Sequence, residues 1–341
     1  MFEKIKKVMS AEEAAAAITM TEDLIKIKAA RDAELKAIID GTDSRKVIII
    51  GPCSADNEDA VIDYVTRLAK LAEEVKDKFM LMPRIYTGKP RTKGEGYKGM
   101  MHSPDPHSKS TDIESGILHL RHMHIRAIRE SGLTAADEML YPDNLDYVLD
   151  ILSYIAVGAR SCENQQHRLV ASGIDVPVGI KNPMNGSFGV TLNSIYAAQI
   201  SNEFKYGGYQ VKTSGNKYAH AVLRGSVNVH GNNMPNYHYE DVIRFREMYI
   251  QQRLANPAII IDTNHSNSGK NPFEQIRIAK EIFGNMRYGD FRSIVKGLLI
   301  ESYIKDGNQG VDGCEYGKSV TDACLGWEKS EALIKDLAAM I

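Results

Sequence analysis

The sequence predicts an α/β fold, a (β/α)8 TIM barrel with an N-terminal helical arm and one extra β-hairpin. Three observations predict it. Eight short apolar runs recur along the chain, stretches of helical periodicity separate them, and no Ser/Gly-rich linker or low-complexity tract divides the 341 residues. The runs are continuous rather than alternating, as expected of strands buried on both faces. An open doubly wound sheet would usually show fewer strands and a Gly-rich first turn, so a closed barrel is the better reading.

The first element is the helical arm, residues 1–45. Ser10 and Glu13 have capping-box spacing, and Leu24, Ile27, Leu35 and Ile38 mark a helix over 21–39 that ends before Gly41. Strands are then predicted at 47–50, 79–83, 133–136, 155–157, 176–180, 220–223, 258–261 and 294–300. Helices are predicted at 59–78, 112–131, 146–152, 164–172, 192–202, 239–256, 272–283 and from Asp322 to the end. Residues 203–215 are β-prone around Gly207-Gly208, which predicts a hairpin inserted before the sixth strand. The barrel with its insertion occupies 46–341.

Composition narrows the function class. A net charge of −2 creates no global field favouring nucleic acid or an anionic membrane. The charged N-terminus carries no long apolar run, so neither a signal peptide nor a membrane span is expected. Four scattered cysteines without a CxxC pair fit a reducing, cytoplasmic setting. Gly94 to Gly99 matches GxGxxG, but no strand leads into it and prolines follow; Gly317-Lys318-Ser319 resembles a P-loop end, but Gly313 is one residue too close. Both motifs are rejected on context.

The chemistry is expected at the C-terminal ends of the strands, which form the active face of such barrels. Cys53 follows the first strand, His265 the seventh and Glu301 the eighth, and these strands are neighbours around a closed barrel; Asp322 comes next, at the predicted start of the last helix. A thiolate, an imidazole and two carboxylates suit one divalent metal ion, and the mixed soft and hard donors point to Mn2+, Fe2+, Co2+ or Zn2+. A second set is cationic: Arg84, Lys89, Arg91, Lys98, Arg160, Lys181 and Arg224. Like charges converging on one rim require a multiply charged anion, for which Arg forks and Lys point charges are suited. The bland readings are a buried hydrophobic Cys53, a hydrogen-bonded loop His265 and surface cations paired with local acids. The joint placement on one rim outweighs them.

These residues lie in motifs that resemble the type I 3-deoxy-D-arabino-heptulosonate 7-phosphate (DAHP) synthase family. The motifs are Ile50-Gly51-Pro52-Cys53-Ser54, Lys89-Pro90-Arg91-Thr92, Gly158-Ala159-Arg160, Gly179-Ile180-Lys181-Asn182, Leu223-Arg224-Gly225 and Tyr316-Gly317-Lys318-Ser319 leading to Asp322. The resemblance implies condensation of phosphoenolpyruvate with erythrose 4-phosphate, the first step of the shikimate pathway. It implies Cys53, His265, Glu301 and Asp322 as metal ligands. Arg84, Lys89, Glu138, Arg160, Lys181 and Arg224 would surround phosphoenolpyruvate, and Arg91 and Thr92 would clamp the phosphate of the sugar. It also implies a homodimer or homotetramer, with Lys89 or a metal-bound water handling the proton. Rival readings are the sister synthase that uses arabinose 5-phosphate, a Schiff-base aldolase on Lys181, and a non-catalytic metabolite-binding barrel.

Overall fold

A computed structural model describes residues 1–89, 96–105 and 111–341. Eight parallel strands form the barrel: β1 (Lys46–Gly51), β2 (Phe79–Pro83), β3 (Ala136–Glu138), β4 (Tyr154–Val157), β5 (Val178–Lys181), β6 (His220–Leu223), β7 (Ile259–Asp262) and β8 (Val295–Glu301). The sheet runs β2-β1-β8-β7-β6-β5-β4-β3. Its two ends meet where Arg84 bridges Ala136 in parallel and the Ile85 N–H donates to the Ala136 carbonyl at 2.9 Å. The nearly closed barrel is therefore the predicted fold.

The strands bury both faces because alternate residues serve two cores. Val47 and Ile49 point into the barrel with Met80, Met82, Tyr154 and Val222, whereas Ile48 and Ile50 face the surrounding helices. The helices are α1 (Ala11–Ala17), α2 (Glu22–Asp40), α3 (Glu58–Val75), α4 (Ile113–Ser131), α5 (Gln165–Ala171), α6 (Phe188–Gln199), α7 (Tyr239–Gln251), α8 (His265–Ser268), α9 (Glu274–Asn285), α10 (Gly289–Ile294) and α11 (Trp327–Ala339). The Ser10–Glu13 capping box forms, and Gly41 ends α2 in the left-handed region. Leu35, Ile38 and Ile39 of α2 are fully buried in the inner core. That helix thus stoppers the N-terminal end of the barrel, opposite the rim where the strands end.

Several boundaries differ from expectation. The helix expected over 146–152 is a 3-10 turn, Pro142–Tyr147, whose early proline fits a first turn. β3 lies two or three residues later than the apolar run, so Asp137 and Glu138 are within the strand; tertiary pairing with β4 overrides local hydrophobicity there. Asp322 does not open the last helix. It sits in the loop ahead of α11, which begins at Trp327 because Gly326 is its N-cap. The expected hairpin is present as Glu203–Tyr206 paired with Tyr209–Lys212. A second hairpin, Ser226–Val227 with Asn233–Met234, was not anticipated, since its strands are two residues long and carry no periodic signal.

Candidate active site

A cavity of about 290 Å³ opens at the C-terminal rim, lined by Arg84, Lys89, Glu138, Arg160, Lys181, Arg224, His265, Lys270 and Asp322, with the Gly158-Ala159 backbone. The strand ends put these side chains there. β1 leaves through Gly51, where an added Cβ would lie 2.3 Å from the Arg84 carbonyl, so only glycine lets β1 and β2 approach this closely. Cys53 follows, with no exposed surface.

Cys53, Glu301 and Asp322 offer ligand atoms that all lie within 4.8 Å of one another. His265 stands at the edge of this group, its Nε2 3.9 Å from Glu301 Oε1. Its Nδ1 is 2.9 Å from Asp262 Oδ2, an ion-pair distance but off line for a hydrogen bond. His265 also has a φ of +49°, a strained conformation that a functional position can retain. Asn264 Nδ2 donates to Glu301 Oε2 at 2.6 Å. Gln275 holds the same residue's backbone, accepting from the Glu301 N–H at 2.9 Å and donating to its carbonyl at 2.9 Å.

Charge supplies the test of fit for a metal. Lys89 Nζ donates to Cys53 Sγ at 2.7 Å, and Lys270 Nζ donates to both Asp322 oxygens at 3.0 and 3.2 Å. Burial and Glu301 push the Cys53 thiol up, against the pull of Lys89 and Arg84. Burial alone would raise the Glu301 carboxyl, but Arg84, His265 and Lys89 outweigh it and hold it below its ordinary value. The donor group therefore draws positive charge to itself, and its sulfur and carboxylate atoms suit a borderline divalent cation.

The anion half is built on the other strand ends. Arg84 is 1% exposed; its guanidinium donates to Glu301 Oε1 at 3.0 Å and to the Pro52 carbonyl, and lies 3.7 Å from the Tyr86 ring centroid. Lys181 Nζ is 3.5 Å from Asp262 Oδ2. Burial would raise the Asp262 carboxyl, yet His265, Lys181 and Arg224 hold it well below the usual carboxylate range. Burial lowers the Arg224 guanidinium pKa, with Arg160 adding to the effect. Cations outnumber acids at the mouth, which suits a ligand carrying phosphate and carboxylate together.

The structure brings Arg84, Lys89, Glu138, Arg160, Lys181, Arg224, His265 and Asp322 around one cavity, and Cys53 and Glu301 adjoin it through Asp322. Lys98 is different: it is exposed and borders a neighbouring recess beside His102 and Tyr141. Arg91, Thr92 and Gly94, the first residue of the Gly-rich stretch, lie outside the described residues. Sequence reasoning missed Lys270 and Tyr86 as parts of the site; it put Asp262 on the rim, at the end of the seventh strand, without a role. For Lys270 no motif gives the signal, because its ion pair with Asp322 spans two loops.

The chain as a whole is similar to known proteins. Residues 18–335 match the sequence model of a family described as the DAHP synthetase I family. The chain is 38% identical to the Phe-sensitive phospho-2-dehydro-3-deoxyheptonate aldolase of Escherichia coli (strain K12), covering 88% of this chain and 85% of that protein. It is 35% identical to the phospho-2-dehydro-3-deoxyheptonate aldolase of Haemophilus influenzae, covering 98% of this chain and 89% of that one. A solved structure of phospho-2-dehydro-3-deoxyheptonate aldolase from Francisella tularensis SCHU S4 superposes with a TM-score of 0.93 at 28% identity, over 100% of this chain and 98% of that chain.

Proposed function

The chain belongs to the DAHP synthetase I family, and from that premise we propose how its rim residues divide the work of the family's reaction. The activity is that of a 3-deoxy-7-phosphoheptulonate synthase, the first step of the shikimate pathway. Phosphoenolpyruvate and erythrose 4-phosphate are joined, water is consumed and inorganic phosphate is released.

In our reading, Arg84, Lys89, Glu138, Arg160, Lys181 and Arg224 surround phosphoenolpyruvate. The cations neutralise its phosphate and carboxylate and hold its methylene carbon toward the aldehyde, which lowers the entropy cost of the encounter. Arg91 and Thr92 clamp the sugar phosphate; Lys98, which borders the neighbouring recess, adds only long-range positive charge. Cys53, His265, Glu301 and Asp322 hold one divalent metal ion, Mn2+, Fe2+, Co2+ or Zn2+. Asp262 Oδ2, 2.9 Å from His265 Nδ1, sets negative charge beside the ring whose Nε2 faces Glu301. When bound, the metal supplies Lewis-acid polarisation of the aldehyde oxygen. The enolpyruvate carbon attacks that aldehyde, water adds to the oxocarbenium centre and the phosphate leaves. Lys89, whose ammonium donates to Cys53 Sγ at 2.7 Å, or a metal-bound water would give a proton to the nascent alkoxide. A cytoplasmic location and a homodimer or homotetramer complete the reading. Among the described residues no helix is long and apolar enough to cross a membrane.

The observation that carries this assignment is the cationic cavity adjoining the Cys53–Glu301–Asp322 group. Phosphoenolpyruvate absorbance should fall only with both erythrose 4-phosphate and a divalent metal present, and a chelator should stop it. Equal turnover with arabinose 5-phosphate, or none with any metal in folded protein, would reject it.

A further inference from the structure

The barrel ladder stops before the cavity, and buried asparagine amides replace it. β5 pairs with β6 as far as Lys181 opposite Val222, and β6 with β7 as far as Leu223 opposite Ile261. Arg224 lies past the last rung, at a bend through Gly225 with a φ of +74°. Asn182, Asn236 and Asn267 are 0%, 6% and 3% exposed around that bend.

Their bonds close on one another. Asn182 Oδ1 accepts from the Arg224 backbone N–H at 2.9 Å and from Asn236 Nδ2 at 3.1 Å, and Asn182 Nδ2 donates to the Gly225 carbonyl at 2.9 Å. Asn236 Oδ1 accepts from the Gly225 N–H at 2.7 Å, while the Asn236 backbone N–H donates to Asn267 Oδ1 at 2.9 Å. Asn267 Nδ2 donates to the carbonyls of Leu223 at 3.2 Å and Asp262 at 2.7 Å. The bend has no slack, since a Cβ on Gly225 would lie 2.7 Å from the Asn267 nitrogen.

We propose that Asn182, Asn236 and Asn267 form a positioning network that sets where Lys181 and Arg224 meet the phosphate and carboxylate of phosphoenolpyruvate. None of the three lines the cavity, so each acts through the residues it holds. Long cationic side chains bind an anion well only if their backbone origins are fixed, because every degree of freedom frozen on binding subtracts from affinity. Three amides hold four backbone groups of the Leu223–Gly225 bend and the carbonyl of Asp262, whose carboxylate lies 3.5 Å from Lys181 Nζ. Asn236 joins the network from the far end of the second hairpin, so chain well separated in sequence from Lys181 decides its neighbourhood.

The inference rests on the reading that Lys181 and Arg224 bind phosphoenolpyruvate. Its test is Asn236→Ala, which removes the acceptor for Gly225 and the donor to Asn182 but keeps the backbone bond to Asn267. Calorimetric titration should show the Kd for phosphoenolpyruvate rising about tenfold at unchanged stoichiometry. KM for phosphoenolpyruvate should follow, with kcat and the KM for erythrose 4-phosphate changing less than about threefold. A lowered stoichiometry with an unchanged Kd means a purely structural role and overturns the proposal. If Asn236→Ala does not fold, Asn236→Ser is read the same way. Arg224→Ala separates the two levels. If it weakens binding while the Asn236 variants do not, the network is rejected; if it leaves binding intact, the anion site itself is misassigned and the network falls with it.

Discussion

Cys53 has no exposed surface, and its sulfur meets Lys89 Nζ at 2.7 Å. A thiol so buried is worth keeping ionised only beside strong positive charge, which is what a divalent cation supplies. Cys53→Ala is therefore expected to reduce turnover to background and to abolish metal retention after dialysis while far-UV circular dichroism stays unchanged. Full activity with bound metal would remove Cys53 from the ligand set. A second residue gives a pH prediction. His220 is fully buried against the Tyr154 hydroxyl at 3.0 Å, and burial pushes its pKa down to about 4 from 6.5, with the Tyr218 carbonyl partly opposing. The folded pKa lies below the unfolded one, so the unfolded chain binds the proton more readily. Stability is complete above pH 6.5 and is lost as pH falls toward 4, by about 3 kcal/mol in the limit. In urea unfolding at pH 7 and pH 4, His220→Gln should shrink the difference between the two pH values by about that amount. An unchanged difference would reject the linkage.

At the scale of elements, α2 and the strand ends do different jobs. α2 contributes Leu35, Ile38 and Ile39 to the inner core at the N-terminal end, remote from the rim. Leu35→Ala should cost about 2–5 kcal/mol in unfolding free energy, through lost burial and the cavity left behind, with kcat and both KM values unchanged in the folded protein. A kinetic change without a stability change would show that the stopper couples to the site. The strand ends were legible in the sequence because their motifs are contiguous: Lys181 and Arg224 directly follow apolar runs, and Cys53 follows one after Gly51-Pro52. What was not legible is the 3-10 turn at Pro142–Tyr147 and the late start of α11 at Trp327. Both are decided by which backbone groups find partners in the folded barrel, not by local periodicity.

For the whole molecule, metal binding should appear as stability. A ligand that binds only the folded state adds about 2.7 kcal/mol at a hundredfold excess over its Kd. Thermal midpoints of chelator-treated protein should therefore rise on adding Mn2+, and should not rise in Cys53→Ala. An equal rise in both would place the ion elsewhere.

By itself the sequence determined the barrel, its hairpin and most of the rim, because continuous apolar runs, helical periodicity and short motifs at strand ends are local signals. Tertiary structure alone decided the rest. It joined Lys270 to Asp322 across two loops, set Asp262 between Lys181 and His265, left Lys98 beside a neighbouring recess, and tied Asn182, Asn236 and Asn267 together. Apart from the Asp262–His265 pair, these contacts join residues far apart in the chain. Their existence depends on barrel closure bringing strand ends within hydrogen-bonding distance, and no spacing along a sequence encodes that.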